Sequence, residues 1–177
     1  MGITIRPAVF DDAEAIARVH VASWQSTYDG ILSTEYLAQL KVENRKRNWE
    51  WSFRNPNPDE CVFVAADSGG AVIGFANGGR ERSGELGYDG ELYTVYLLPE
   101  HQRSGLGQRL VREVALTLRS SGCESLLVWV LEANPSAGFY ARLGGVPVAR
   151  KEISIGPDTL IEVAYGWPRL DQWMHSC

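Results

Sequence analysis

A chain of 177 residues with 45% hydrophobic residues is long enough for one self-sufficient core, and its net charge of −5 leaves no basic footprint for nucleic acid. Three scattered cysteines (Cys61, Cys123, Cys177) and three scattered histidines (His20, His101, His175) form no CxxC or Cys/His cluster, which argues against a metal site or disulfide framework and for a reducing compartment. No apolar run approaches a membrane span and no apolar signal core follows Met1, so a cytoplasmic protein without membrane association is expected.

In chain order, ITIRPA reads as a short strand, and Asp11 and Asp12 offer N-caps for a helix through about Ser26 with Ile16, Val19 and Trp24 in its apolar set. A second helical region runs from Ser33 to about Arg54, with a break near Lys41, and stops at NPNP, where two prolines forbid continuation. CVFVAA and AVIGFANGG flank DSGG as a hairpin; a polar loop, RERSGELGYDG, leads to the strand ELYTVYLL. Gly107 to Ser121 carries Leu110, Val114 and Leu118 at helical spacing, and SLLVWVL is an apolar run suited to a strand buried on both faces. In NPSAGFYARLGG, Asn134 is the expected N-cap, Pro135 the first helical residue and Gly144 the stop. VPVARKEISI and TLIEVAYGW close the chain as a hairpin, leaving a tail with Trp167, Leu170 and Trp173 that packs on its own sheet or in a homodimer contact. The order β-α-α-β-β-β-α-β-α-β-β implies an α/β fold with a mixed sheet and helices on both faces.

The stretch VYLLPEHQRSGLGQRLV passes from strand to helix through two glycines and no acidic residue after Glu100. The first four amides of a helix lack intrahelical acceptors and sit at the positive end of its dipole, so an anion, phosphate above all, is their natural partner. Gly105 and Gly107 keep side chains off the backbone, Arg103 adds a cation, and Gln102, Ser104 and Gln108 add neutral hydrogen-bonding groups. A carboxylate there would repel the phosphate. The P-loop pattern GxxxxGK[ST] is absent, and Leu110 stands where a dinucleotide fingerprint has its third glycine. A glycine turn that merely joins strand to helix is the alternative.

ELYTVYLLPEHQRSGLGQRLV resembles the signature of the GNAT superfamily of acyl-CoA N-acyltransferases: a strand, a proline (Pro99), then [QR]-x-x-G-x-[GA], filled by Gln102, Gly105 and Gly107. About thirty residues on, LLVWVLEANPSAGFYARLGG resembles the second motif, N-x-x-A-x-x-[FL]-Y-x-x-x-G, with Asn134, Ala137, Phe139, Tyr140 and Gly144 in place. The resemblance covers essentially the whole chain, is specific from Glu91 to Gly145, and implies a single acetyltransferase domain over residues 1–177. Its central sheet would have about seven mostly antiparallel strands, splayed between the fourth and fifth.

What the resemblance implies for the site is specific. Acetyl-CoA is the co-substrate and no metal is needed. Its diphosphate would rest on the amides of Arg103, Ser104, Gly105, Leu106, Gly107 and Gln108. Its pantetheine arm would lie along Val95, Tyr96 and Leu97 as a partial strand. Asn134 would bind the pantetheine amide, although it also reads as an N-cap, and Ser136 at the same helix start is a further contact. Glu91 matches the position that supplies the general base in the histone-acetyltransferase branch; a solvated glutamate at a strand end is the alternative. A base is required because an amine of pKa about 10.4 has well under a thousandth of its population neutral at pH 7. The Val95 amide would receive the charge that develops on the thioester oxygen. Tyr140 matches the usual general acid for the leaving thiolate, against a core tyrosine with a buried ring.

The acceptor side is the least diagnostic. Trp24 and Tyr28 lie one helical turn apart, either as packing at a helix junction or as a pocket wall with Tyr93 facing them, and Asp29, Glu85 and Asp89 could attract a cation. The expected activity is transfer of an acetyl group to a primary amine of a small molecule or peptide. The alternatives are a non-catalytic acyl-CoA sensor and transfer to a hydroxyl or of a longer acyl chain.

Overall fold

Why a sheet forms at the centre is clear from its strands. They are runs of β-branched and aromatic residues bounded by Gly, Pro, Asn or Asp turns. The computed structural model describes residues 2–175; Cys177 lies outside the described residues. Seven strands, β1 Thr4–Pro7, β2 Cys61–Ala66, β3 Val72–Arg80, β4 Gly90–Leu97, β5 Leu126–Leu131, β6 Val146–Ile155 and β7 Asp158–Trp167, make one sheet in the order β1-β2-β3-β4-β5-β7-β6. Every neighbouring pair is antiparallel except β4–β5. The helices are α1 Ala13–Thr27, α2 Thr34–Gln39, α3 Val42–Arg54, α4 Leu106–Ser120, α5 Ala137–Arg142 and α6 Leu170–His175.

Alternation along the strands sorts the apolar side chains into two layers. On one face, Phe63, Ala65, Leu92, Leu126 and Val128 pack with Leu110, Val111, Val114 and Leu118 of α4 and with Tyr140 of α5. Burial of each such α4 side chain contributes about 1.5–3 kcal/mol, so this helix is fixed by its apolar stripe rather than by propensity. On the other face, Ile16 and Val19 of α1 meet Val64 and Phe75, while Tyr28, Leu32 and Leu37 meet Leu131 and the β6–β7 hairpin.

Several expectations shift in detail. The long second helical region is split, as its sequence suggests, with Leu40 and Lys41 between α2 and α3. Asp12 holds the N-cap position of α1 but makes no cap bond: its carboxylate accepts the Val9 N–H at 2.8 Å and both terminal nitrogens of Arg6, at 2.7 and 2.8 Å. Helix α5 begins two residues later than the sequence suggests, at Ala137, because Asn134 Oδ1 accepts the Ser136 N–H at 2.8 Å and holds the chain in a turn; Ser136 is the N-cap. In the tail, α6 folds back so that Leu170, Trp173 and Met174 join the core beside Trp167, the first of the two arrangements the sequence allows.

Candidate active site

Strands β4 and β5 pair over only three residues, Gly90 with Leu126, Glu91 with Leu127 and Leu92 with Val128. At Tyr93 the β3–β4 register shifts: Asn77 faces Thr94 and Gly78 faces Leu92, so Tyr93 is the extra residue of a bulge. A bulge bends its strand and adds local twist, and beyond it β4 leaves β5. The Leu98 N–H donates to the Ile73 carbonyl of β3 at 3.0 Å. Counting back by twos, Tyr96 and Thr94 also face β3, whereas the N–H groups of Val95 and Leu97 face the gap. The Leu97 carbonyl is reached there by Gln102 Nε2 at 3.2 Å and Ser23 Oγ at 3.4 Å.

Across the mouth of this gap runs the glycine turn. After the 3-10 turn Pro99–His101, Arg103 has φ +58° and Gly105 φ +79°, the second at the N-cap of α4. The first helical amide with an acceptor is that of Arg109, bonded to the Gly105 carbonyl at 3.2 Å. Among the described residues, no main-chain acceptor meets the amides from Arg103 to Gln108. The two glycines have different reasons. Gly105 needs its positive φ and would have open space around a Cβ; Gly107 is buried, and a Cβ on it would come within 3.2 Å of the Phe139 ring. The expectation that both glycines spare room for phosphate therefore narrows to Gly105. Leu106 is likewise buried and offers only its amide, Ser104 Oγ donates to the His101 carbonyl at 2.7 Å, and Arg103 is exposed. A separate hollow of about 540 Å³ opens beside Gln108, between α5 and α6, rather than in the gap.

Two layers of phenols close the gap. From one side Tyr140 is 8% exposed, its ring against Phe139 (5.2 Å between centroids) and Tyr165 (6.1 Å). Burial, and secondarily Tyr28, pushes its hydroxyl well above the ordinary phenol range, so it stays protonated. From the other side Trp24 Nε1 donates to the Tyr96 hydroxyl at 2.8 Å, and Asn134 Nδ2 donates to the Tyr28 hydroxyl at 3.3 Å. Asn134 thus forms the turn through its oxygen and partners Tyr28 through its nitrogen. Trp24 and Tyr28 meet edge to face at 4.9 Å.

Glu91 is 3% exposed, which removes the solvated strand-end reading. Arg82 grips it: Nη2 donates to Oε1 at 2.6 Å, while Nε and the Arg82 N–H donate to Oε2 at 3.1 and 3.2 Å. The same guanidinium lies 4.2 Å over the Tyr93 ring, whose hydroxyl donates to the Arg80 carbonyl at 2.7 Å and is pushed up to about 12, first by burial. Tyr93 therefore shares the Glu91 side of the gap. Asp29, Glu85 and Asp89 are exposed, and Asp89 accepts the Glu124 N–H at 2.8 Å and anchors the start of β5. Sequence reasoning missed Arg82, whose position in the polar loop RERSGELGYDG made it look like solvated charge.

Residues 22–145 match the acetyltransferase (GNAT) family, a span that includes both glycine motifs. The chain belongs to this family. By that membership it is an acyltransferase, with the GNAT seven-stranded mixed sheet, mostly antiparallel and open between β4 and β5. As a GNAT protein it is 42% identical over 168 residues (95% of its length and 94% of the other's) to YuaI, an uncharacterised N-acetyltransferase of Bacillus subtilis strain 168. It is 27% identical over 169 residues (93% and 99%) to a spermidine N(1)-acetyltransferase of Thermoplasma acidophilum. Its fold matches the crystal structure of the PaiA N-acetyltransferase of T. acidophilum in complex with coenzyme A, with a TM-score of 0.69 and 25% identity over 92% of this chain and 98% of that one.

Proposed function

We propose that residues 1–177 form one cytoplasmic acetyltransferase domain that moves an acetyl group from acetyl-CoA to a primary amine of a small molecule. The observation that carries this reading is the joining of two features: a run of unsatisfied amides at the start of α4 and an open strand edge leading from it. The residues fit such a co-substrate. The Arg103–Gln108 amides and the Arg103 side chain suit a diphosphate, and the Val95 and Leu97 edge suits a polar arm that needs main-chain partners. Free Cys61 and Cys123 suit a reducing compartment. Small amines are favoured over peptides by the relative that acetylates spermidine.

When bound, acetyl-CoA supplies an activated acetyl thioester. The Val95 N–H, which faces the gap, would donate to the oxygen on which charge collects during attack. Tyr140 holds its proton at neutral pH and delivers it from its hydroxyl to the leaving sulfur. Glu91 takes the proton the amine sheds, directly or through water. Among the described residues its Oε1 accepts only one N–H, from Arg82, and keeps a lone pair for this.

Thiol release from acetyl-CoA over a panel of amines, with product masses, tests the reading. Tyr140→Phe is expected to cut turnover by about 10²-fold or more while cofactor affinity, by calorimetry, stays near that of the parent. Loss of cofactor binding in that variant would overturn the acid assignment. Cofactor binding without acetylation of any amine would make the protein a sensor instead.

A further inference from the structure

On the face of the sheet that carries Glu91 and Tyr28, Lys151 of β6 stands opposite Glu162 of β7, and Glu162 stands opposite Leu131 of β5. Lys151 Nζ is 3.8 Å from a Glu162 oxygen, beyond hydrogen-bond length, and 4.0 Å from the centroid of the Trp129 ring. Trp129 lies one row further along, opposite Ala164, which itself faces Ala149. Two alanines leave room for the lysine stem to cross diagonally onto the indole. Trp129 also follows directly on Val128, the last residue of β5 that pairs with β4, so it stands where the gap begins.

An ammonium with an indole face beneath it and a carboxylate beside it sits in the arrangement by which proteins hold organic cations. The carboxylate is held back from water: the Glu162 side chain is 20% exposed, and Lys151 is its only ion-pair partner among the described residues. Burial chiefly pushes its carboxyl up, Glu91 adds to this, and Lys151 and Arg82 offset it; Tyr28 feels its charge from the α1 side. The lysine is held loosely, with its side chain 49% exposed. We propose that Trp129 and Glu162 form a seat for a second ammonium of the acceptor, and that Lys151 fills this seat until the acceptor displaces it.

This rests on acetylation of an amine in the gap and specifies the class of amine. Neighbouring strands lie about 4.8 Å apart, so a cation seated between β5 and β7 is roughly 5–10 Å from the reacting amine. A short unbranched diamine spans that distance; a monoamine of the same length leaves the lysine undisturbed.

The test compares 1,4-diaminobutane with butylamine as acceptors, in the unaltered protein, Glu162→Gln and Lys151→Met. The unaltered protein is expected to prefer the diamine in kcat/KM by about tenfold. Glu162→Gln should reduce that preference by about fivefold or more, through KM for the diamine, and Lys151→Met should increase it. Equal preference in all three proteins would overturn the seat. Should neither amine be acetylated, the transfer reading is left to the wider amine panel, and calorimetric titration of the coenzyme A-loaded proteins with both amines still decides the seat. Diamine binding weakened by Glu162→Gln and strengthened by Lys151→Met supports the seat, and any other pattern overturns it. Thermal unfolding of each variant shows that a changed preference is not a changed fold.

Discussion

His20 shows how a single side chain ties the acceptor face to acidity. It is 8% exposed, stacked on Tyr96 at 5.2 Å between ring centroids and near Phe75 at 5.8 Å; its Nδ1 finds no partner among the described residues. Burial, with a smaller push from Arg45, lowers it to about 3 from an ordinary 6.5. Between those values the unfolded chain binds a proton that the folded chain refuses. Stability therefore falls as pH falls below about 6.5, by up to about 1.4 kcal/mol per unit, until the folded value is reached. His20→Phe is expected to flatten the dependence of Tm on pH between 6.5 and 4, because an aromatic ring that cannot charge stays in place. Equal slopes for the two proteins would show that the carboxylates alone govern acid unfolding.

At the scale of elements, the difference between legible and illegible parts has a physical reason. Helix α4 and its glycine turn were readable because one helical stripe of Leu and Val must be buried and because φ at Gly105 is positive. The bulge at Tyr93 was not, since ELYTVYLL reads as an uninterrupted strand and the extra residue emerges only when β3 sets the register. Nor was the late start of α5, where the Asn134 side chain competes with the helix for the Ser136 amide. Asp12 belongs here too. It looked like a cap, yet it fastens β1 to α1 through Arg6 and Val9 from a site 7% exposed. Asp12→Ala should cost about 2–3 kcal/mol in urea unfolding, more than a lost surface ion pair, because a part-buried N–H and a guanidinium are both left without their acceptor.

Across the whole molecule, two half-sheets, β1–β4 and β5–β7, touch through three residue pairs and are otherwise bound by shared packing on α4 and α5. The opening between them joins the Val95 and Leu97 edge to free amides at one end and to Trp129 at the other. Sequence order alone suggested the mixed sheet, but not that Lys151 and Glu162, seven and eighteen positions beyond Gly144, would come together beside Trp129 of β5. That requires β7 to insert between β5 and β6. Coenzyme A should slow amide hydrogen exchange at Val95 and Leu97 and across the Arg103–Gln108 turn, leaving β1 and the β6 edge unchanged; uniform protection over the chain would contradict a guest lying along β4.

The incomplete ladder between β4 and β5 has a consequence for turnover in the cell. A guest that supplies the missing main-chain partners acts as an eighth strand, and its occupancy sets how firmly the centre of the sheet is held. At a concentration one hundred times its Kd such a guest adds about 2.7 kcal/mol to the folded state. Without it, the two halves of the sheet are held together by three residue pairs and by the packing on α4 and α5 alone.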